Sequence, residues 1–150
     1  MTITFEVPIA ACGKARARAT GSHHYTPLDT VAAQRTIAGV ARRTTRLGNL
    51  APLKCAVRLS VIVLMPPPKS ATEEEAKAML AGEIRPVAKP DWDNIGKLVS
   101  DALNGVAYAD DKQIADGRTE KFYALRDMLH ITVAPCTAHD DNLTTKRNSQ

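Results

Sequence analysis

Ile3, Phe5, Val7 and Ile9 alternate with Thr2, Thr4 and Glu6, the two-residue period of a strand buried on one face. The interval ACGKARARATGSHHYTP has no apolar period and reads as a loop. Thr26 and Pro27 then provide an N-cap and a first helical position. Val31, Ala32, Ile37, Ala38, Val40 and Ala41 form the helical stripe that follows, ending near Leu47-Gly48. Lys54 to Met65 (KCAVRLSVIVLM) is rich in β-branched residues and predicts a central strand, with Cys55 in the core and Pro66-Pro67-Pro68 as its stop. SATEEEAKAMLAGE predicts a short helix capped by Ser70 or Thr72, with Glu73, Glu74 and Glu75 at its positive end. Ile84 to Pro90 is an extended link, and Trp92 to Leu103 a helix closed by Asn104-Gly105. Gln113 to Ala124 and Met128 to Ala134 are two further strands, joined around Arg126-Asp127. The pattern predicts one α/β domain over residues 1–135, α+β-like in its mixed sheet. It has about four strands, two main helices and a short inserted helix; residues 136–150 read as a disordered polar tail.

Composition narrows the class. At 150 residues one core is large enough to be stable without staples. No run approaches the roughly 18 apolar residues of a membrane span, and MTITFEVPIA lacks the basic start of a signal peptide. Cys12, Cys55 and Cys136 are odd in number and form no CxxC pair, so they read as free thiols in a reducing cytoplasm and exclude a structural zinc site.

Charge changes the picture more. Residues 1–50 hold seven basic groups (Lys14, Arg16, Arg18, Arg35, Arg42, Arg43, Arg46) against Glu6 and Asp29, a net of +5. In this basic chain, the 26 residues KPDWDNIGKLVSDALNGVAYADDKQI gather Asp91, Asp93, Asp101, Asp110 and Asp111 with Lys97. Carboxylates this dense repel one another, and a divalent cation held by hard oxygen ligands offsets that repulsion. At 100° per residue, Trp92, Ile95, Val99, Ala102 and Leu103 share one arc with Leu98 at its edge, so Trp92 is expected in the core. Asp93, Lys97 and Asp101 fall on the opposite side, and Asp91 precedes the helix at its positive end. The helix is about 17 Å long and Gly105 to Asp111 extends roughly 20 Å, so a chain doubling back can bring Asp111 to Asp91 and Asp93. Three carboxylates at one point would bind one or two Mg²⁺ or Mn²⁺ ions, which activate water and neutralise a leaving oxyanion. Lys97 would balance charge or donate to the developing phosphorane. Each piece has a plainer reading: Asp91 as a cap, Asp93 as the helix partner of Lys97, Asp110-Asp111 as a turn, Asn94 as a cap-region hydrogen bonder, Asp101 as an exposed carboxylate. Gathered in one window, they favour a metal site.

The segment resembles the signature of the RusA-type endodeoxyribonucleases, Holliday junction resolvases common in phages and prophages. That signature comprises a D-x-D-N core, a Lys one turn on, D-A-L-N-G at the helix end and a D-D-x-Q-[IV] return. GKARARATGSHHYTP resembles the family's basic K-x-R-x-R segment followed by YTP, and the resemblance covers roughly residues 3–134. It implies a metal-dependent homodimeric nuclease, in a bacterial cytoplasm, that makes paired symmetric nicks across four-way DNA in recombination and repair. It also implies Asp91, Asp93 and Asp111 as catalytic, metal-binding carboxylates for Mg²⁺ (with Mn²⁺ substituting), Lys97 as the catalytic lysine, and Asp110 and Asn94 as supporting groups. Lys14, Arg16, Arg18 and Lys89 are the expected DNA contacts. The chain departs from the family in a longer segment before Asp91, where only Arg85 and Lys89 are basic, and in Trp92 at a position usually held by a smaller aliphatic. Two other classes stay open: a junction-binding recombination factor with little cleavage, and a DxD enzyme acting on nucleotide-sugars. The second leaves the basic loop unexplained and needs a glycine-rich βα turn that the sequence lacks.

Overall fold

Strand β4 (Val57–Met65) sits inside a four-stranded sheet of order β1-β6-β4-β5 in the computed structural model. The structure describes residues 1–13, 18–20, 23–25 and 28–137, the two short segments by their backbone. Strand β1 (Ile3–Val7) pairs antiparallel with β6 (Met128–Pro135), β6 antiparallel with β4, and β4 parallel with β5 (Ile114–Tyr123). A parallel pair needs a crossover, and the chain between β4 and β5 supplies it with α2 (Glu73–Leu80) and α3 (Trp92–Leu103). Helix α1 (Leu28–Leu47) packs against α3 and β1.

Alternation decides which face of the sheet the helices cover. Ile3, Phe5 and Val7 of β1, Val57, Leu59, Val61 and Val63 of β4, and Leu129, Ile131 and Val133 of β6 are buried in one cluster. Ile37 and Ala41 of α1 and Ile95, Leu98, Val99 and Leu103 of α3 close that cluster from the helical side. The sheet is therefore mixed and the core single, as the hydrophobic pattern predicts.

Some local expectations are corrected. The buried face of α1 is Thr30, Ala33, Ile37, Ala38, Ala41 and Thr45, whereas Ala32 is exposed and Val31 and Val40 are half-buried. Two threonines share this face, and Thr45 Oγ1 donates to Arg42 O at 3.0 Å, which satisfies its hydroxyl inside the helix. Cys55 is exposed, because the strand starts at Val57 with a register shift there and Cys55 stays in the bend ahead of it. Part of the expected loop is a hairpin, β2 (Arg18–Thr20) against β3 (His23–Tyr25). Trp92 is exposed, as described below. Cys136, where the polar tail was expected to start, is tied to the sheet through its N–H, which donates to Ala56 O at 2.9 Å. Residues 138–150, and the expected cap Thr26 with Pro27, lie outside the described residues. The inserted helix α2 forms with a full capping box, Glu75 N to Thr72 Oγ1 at 3.2 Å and Thr72 N to Glu75 Oε2 at 2.7 Å.

Candidate active site

Because Ile95, Leu98, Val99, Ala102 and Leu103 must face the core, α3 turns Asp93 and Lys97 outward, and both are exposed. Asp91 occupies the N-cap with extended backbone, yet its side chain makes no cap hydrogen bond. Its carboxylate thus stands at the positive end of the helix dipole without neutralising a helix N–H. Among the described residues, Asp91, Asp93, Asp111 and Lys97 are in no ion pair.

The return segment is built by its own hydrogen bonds. Gly105 turns the chain at φ +71°, a left-handed conformation that glycine adopts without strain. Tyr108 is fully buried and its hydroxyl donates to Ser100 O at 2.9 Å. Burial, and then the charges of Asp111 and Asp101, push the Tyr108 pKa well up, so it remains a neutral donor. Asp110 caps a 3-10 turn (Asp111–Gln113) by accepting from Lys112 N at 3.0 Å, and this bond holds its carboxyl below the usual range. Gln113 fastens the turn. Its Oε1 accepts from Ala109 N at 2.9 Å and Asp110 N at 3.1 Å, while Nε2 donates to Leu53 O at 3.0 Å and Cys55 O at 2.9 Å. The motif alone gives this glutamine no role; its place three residues after Asp110, the capping-box spacing, is the signal that finds it.

Among the described residues, no three His, Cys, Asp or Glu side chains stand close enough together to hold a metal ion. The chain does double back, and it is pinned to α3 where the Tyr108 hydroxyl donates to Ser100 O. Asp91 and Asp93 stand at the start of α3, and the turn that carries Asp111 packs against the same helix. A cleft of about 240 Å³ lies between α3 and β5, lined by Trp92, Asp93, Gly96 and Ser100 on α3 and by Ile114, Gly117 and Arg118 across from it. Mg²⁺ is commonly held by one or two carboxylates together with water and substrate phosphates. The exposed carboxylates of Asp91 and Asp93 fit that open mode.

The basic segment starts at this same end of α3. A Cβ on Gly13 would lie 2.8 Å from Asn94 Cβ and 3.4 Å from Pro90 Cβ, so the backbone one residue before Lys14 rests on the first turn of α3. Asn94 is half-buried against it. Lys14 and Arg16 lie outside the described residues, and Arg18 is placed by its backbone in β2. Lys89 is exposed. The approach to Asp91 is tied down from β5: Lys121 Nζ donates to Ala88 O at 2.7 Å and Pro90 O at 3.3 Å. Arg85 Nε donates to Lys121 O at 2.7 Å with its guanidinium 3.5 Å over the Phe122 ring. Lys121 is a second residue that the sequence pattern does not single out, and a lysine inside a strand is its only mark.

Trp92 is 64% exposed, against the expected burial. Its helical phase is as read, but one turn on lies Gly96, and Gly117 stands across the cleft. Neither has a side chain to cover the ring.

A family model described as endodeoxyribonuclease RusA matches residues 6–134. A protein of Bacillus subtilis (strain 168) called uncharacterized protein YqaN is 38% identical over 84 residues, 55% of this chain and 59% of that protein. The aligned part thus spans less than two thirds of that relative's length. No described helix is long and apolar enough to cross a membrane. The family match runs from β1 almost to the end of β6 and takes in all of α3 and the Asp110–Gln113 turn; the chain belongs to the RusA endodeoxyribonuclease family.

Proposed function

We propose that this protein is a divalent-metal-dependent endodeoxyribonuclease that resolves four-way DNA junctions by paired, symmetric phosphodiester hydrolysis. The observation that carries this reading is the pair Asp91 and Asp93, exposed at the positive end of α3 and in no ion pair among the described residues, with the root of the basic segment packed against Asn94. In this reading Asp91 and Asp93 hold Mg²⁺ or Mn²⁺ together with a DNA phosphate, and Asp111, with Asp110 beside it, is the third carboxylate of the catalytic set. The ion when bound supplies an activated water and neutralises the leaving oxygen. Lys97, one turn beyond Asp93, donates to the phosphoryl oxygen as its negative charge grows. A homodimer presents two such sites related by a two-fold axis, which matches the approximate symmetry of a four-way junction.

Grip comes from Lys14, Arg16, Arg18 and Lys89, together with Arg35, Arg42, Arg43 and Arg46, which are exposed on α1. Replacing Arg16 by Ala is expected to weaken junction binding and to flatten its log–log salt dependence by about one unit, the value of a single phosphate neutralised, read by fluorescence anisotropy across a salt series. Gly13→Ala is expected to weaken binding too, with unchanged melting temperature, because the 2.8 Å approach to Asn94 pushes the backbone at position 13, the root of the basic segment, off α3. Unchanged affinity in Gly13→Ala would separate that segment from the site.

A labelled four-way junction and a matched linear duplex, each incubated with protein and Mg²⁺ at low salt, test the proposal. Symmetric nicks confined to the junction are the expected result. Tight junction binding without cutting supports the second reading, a structural recombination factor, which the absence of a three-carboxylate cluster among the described residues favours. Failure to bind either DNA removes both.

A further inference from the structure

We propose that Trp92 is a stacking platform for one unpaired nucleobase of branched DNA, seated in the cleft between α3 and β5. The proposal rests on the nuclease reading and deepens it by naming what selects the substrate. Trp92 leaves 64% of its surface in solvent although it is the largest apolar side chain of a helix whose other apolar residues are buried. It stands between Asp91 and Asp93 in the chain, so whatever stacks on its ring lies beside the phosphate those carboxylates would engage.

The cleft it lines holds about 240 Å³, below the roughly 300–1,000 Å³ of sites that enclose a whole small ligand. That size suits a single flat ring system. Leu59 and Val61 give the cleft an apolar floor, and Gly96 and Gly117 add no side chain to its walls. At the rim stands Arg118, its guanidinium anchored 3.1 Å from Asp116 Oδ2, which supplies donors for a base edge or phosphate. An apolar peptide side chain would find the floor equally suitable but not the carboxylates and the arginine; a base joined to a phosphate uses all three. Every base has a π-face, so this stack tolerates any sequence. A base at a branch point, where the continuous stack of the duplex is interrupted, reaches the ring at a lower unstacking and unpairing cost than a base inside an intact duplex. Stacking thereby selects branched over linear DNA.

Trp92 is the only tryptophan in the chain, so intrinsic emission reports on it alone. Asp111→Asn, which leaves the neighbours of Trp92 in place and stops cutting, is titrated with a four-way junction, binding being followed separately by anisotropy of a dye on the DNA. Indole quenching that saturates with binding is expected, much smaller for linear duplex and for a junction with abasic sites at the branch point. In otherwise unaltered protein, Trp92→Ala is expected to raise KM for the junction roughly 5- to 150-fold, the value of one base–aromatic stack, with kcat little changed and with recovery in Trp92→Phe. Junction binding with unaltered Trp92 emission, equal quenching by the abasic junction, or emission that shifts with protein concentration before DNA is added each overturn the proposal. The last places the ring between copies of the chain. If the unaltered protein neither binds nor cuts the junction, the nuclease reading itself has failed, a different result from cutting with a silent tryptophan.

Discussion

Asp91→Asn and Asp93→Asn are each expected to slow junction cleavage by about a hundredfold or more, the scale on which removal of one charge-stabilising group acts in a preorganised site, while junction binding is kept or tightened. Asparagine preserves the shape of aspartate and removes only the charge. At position 91 no cap hydrogen bond is broken, because the carboxylate makes none. At position 93 the side chain is exposed and in no ion pair among the described residues, so folding does not depend on its charge. What each substitution removes is a hard oxygen anion at the positive end of α3, where a divalent ion and a phosphate are to meet. It also removes repulsion between that anion and DNA, which is why affinity holds or improves. Single-turnover cleavage, gel-shift titration and a thermal melt on the same preparations separate the three effects. Loss of binding with an unchanged melt would make these carboxylates structural supports of the DNA surface and remove their catalytic role.

The second large effect is on stability. Leu98 has no exposed surface and lies on the core side of α3, opposite Asp93 and Lys97. Leu98→Ala is expected to cost about 2–5 kcal/mol, from the forfeited transfer energy and the cavity left behind, out of a total near 5–15 kcal/mol for a domain of this kind. At roughly 2–4 °C per kcal/mol for a chain of this size, the melting temperature falls by about 4–20 °C. Cleavage then fails on warming before it fails in the cold, since the helix that carries the carboxylates is the helix that loosens. Lys97→Ala on the opposite face is the control: it lowers the rate and leaves the melt in place. A Leu98→Ala protein that melts with the unaltered one would mean that α3 is not held by the buried arc.

Much of this architecture was legible because long apolar periods have one physical solution. β1, β4, α3, β5 and β6 lie where alternation or helical phase places them, and Asn104-Gly105 ends α3 as read. Thr72 caps α2 because Glu75 can return the bond, a local event that needs no tertiary partner. The misses share a cause. Phase says which way a side chain points, not whether anything lies there, and Trp92 points toward two glycines, Gly96 and Gly117. The hairpin β2–β3 is three residues per strand, too short for alternation to register. Cys55 looked interior because the β-rich run starts before the ladder does. At the site, chain reach permitted Asp111 to join Asp91 and Asp93, but reach sets only an upper limit. The hydrogen bonds of Tyr108 to Ser100 and of Gln113 to Leu53 and Cys55 fix where the return segment runs, and among the described residues no three carboxylates gather around one point. None of these three bonds can be read from motif letters, since each joins a side chain to a backbone carbonyl that only the fold brings near.

If the carboxylates of the 89–114 segment serve a metal-dependent cut in branched DNA, the decisive measurement is metal add-back on a strand-labelled four-way junction, with the unaltered protein and Asp91→Asn side by side. No cleavage is expected in EDTA, and paired nicks at symmetric positions on opposing strands are expected once Mg²⁺ or Mn²⁺ is restored. Asp91→Asn should stay silent at every metal concentration. Cleavage that persists in EDTA, or an Asp91→Asn protein that cuts at the unaltered rate, would contradict a metal-dependent role for these carboxylates.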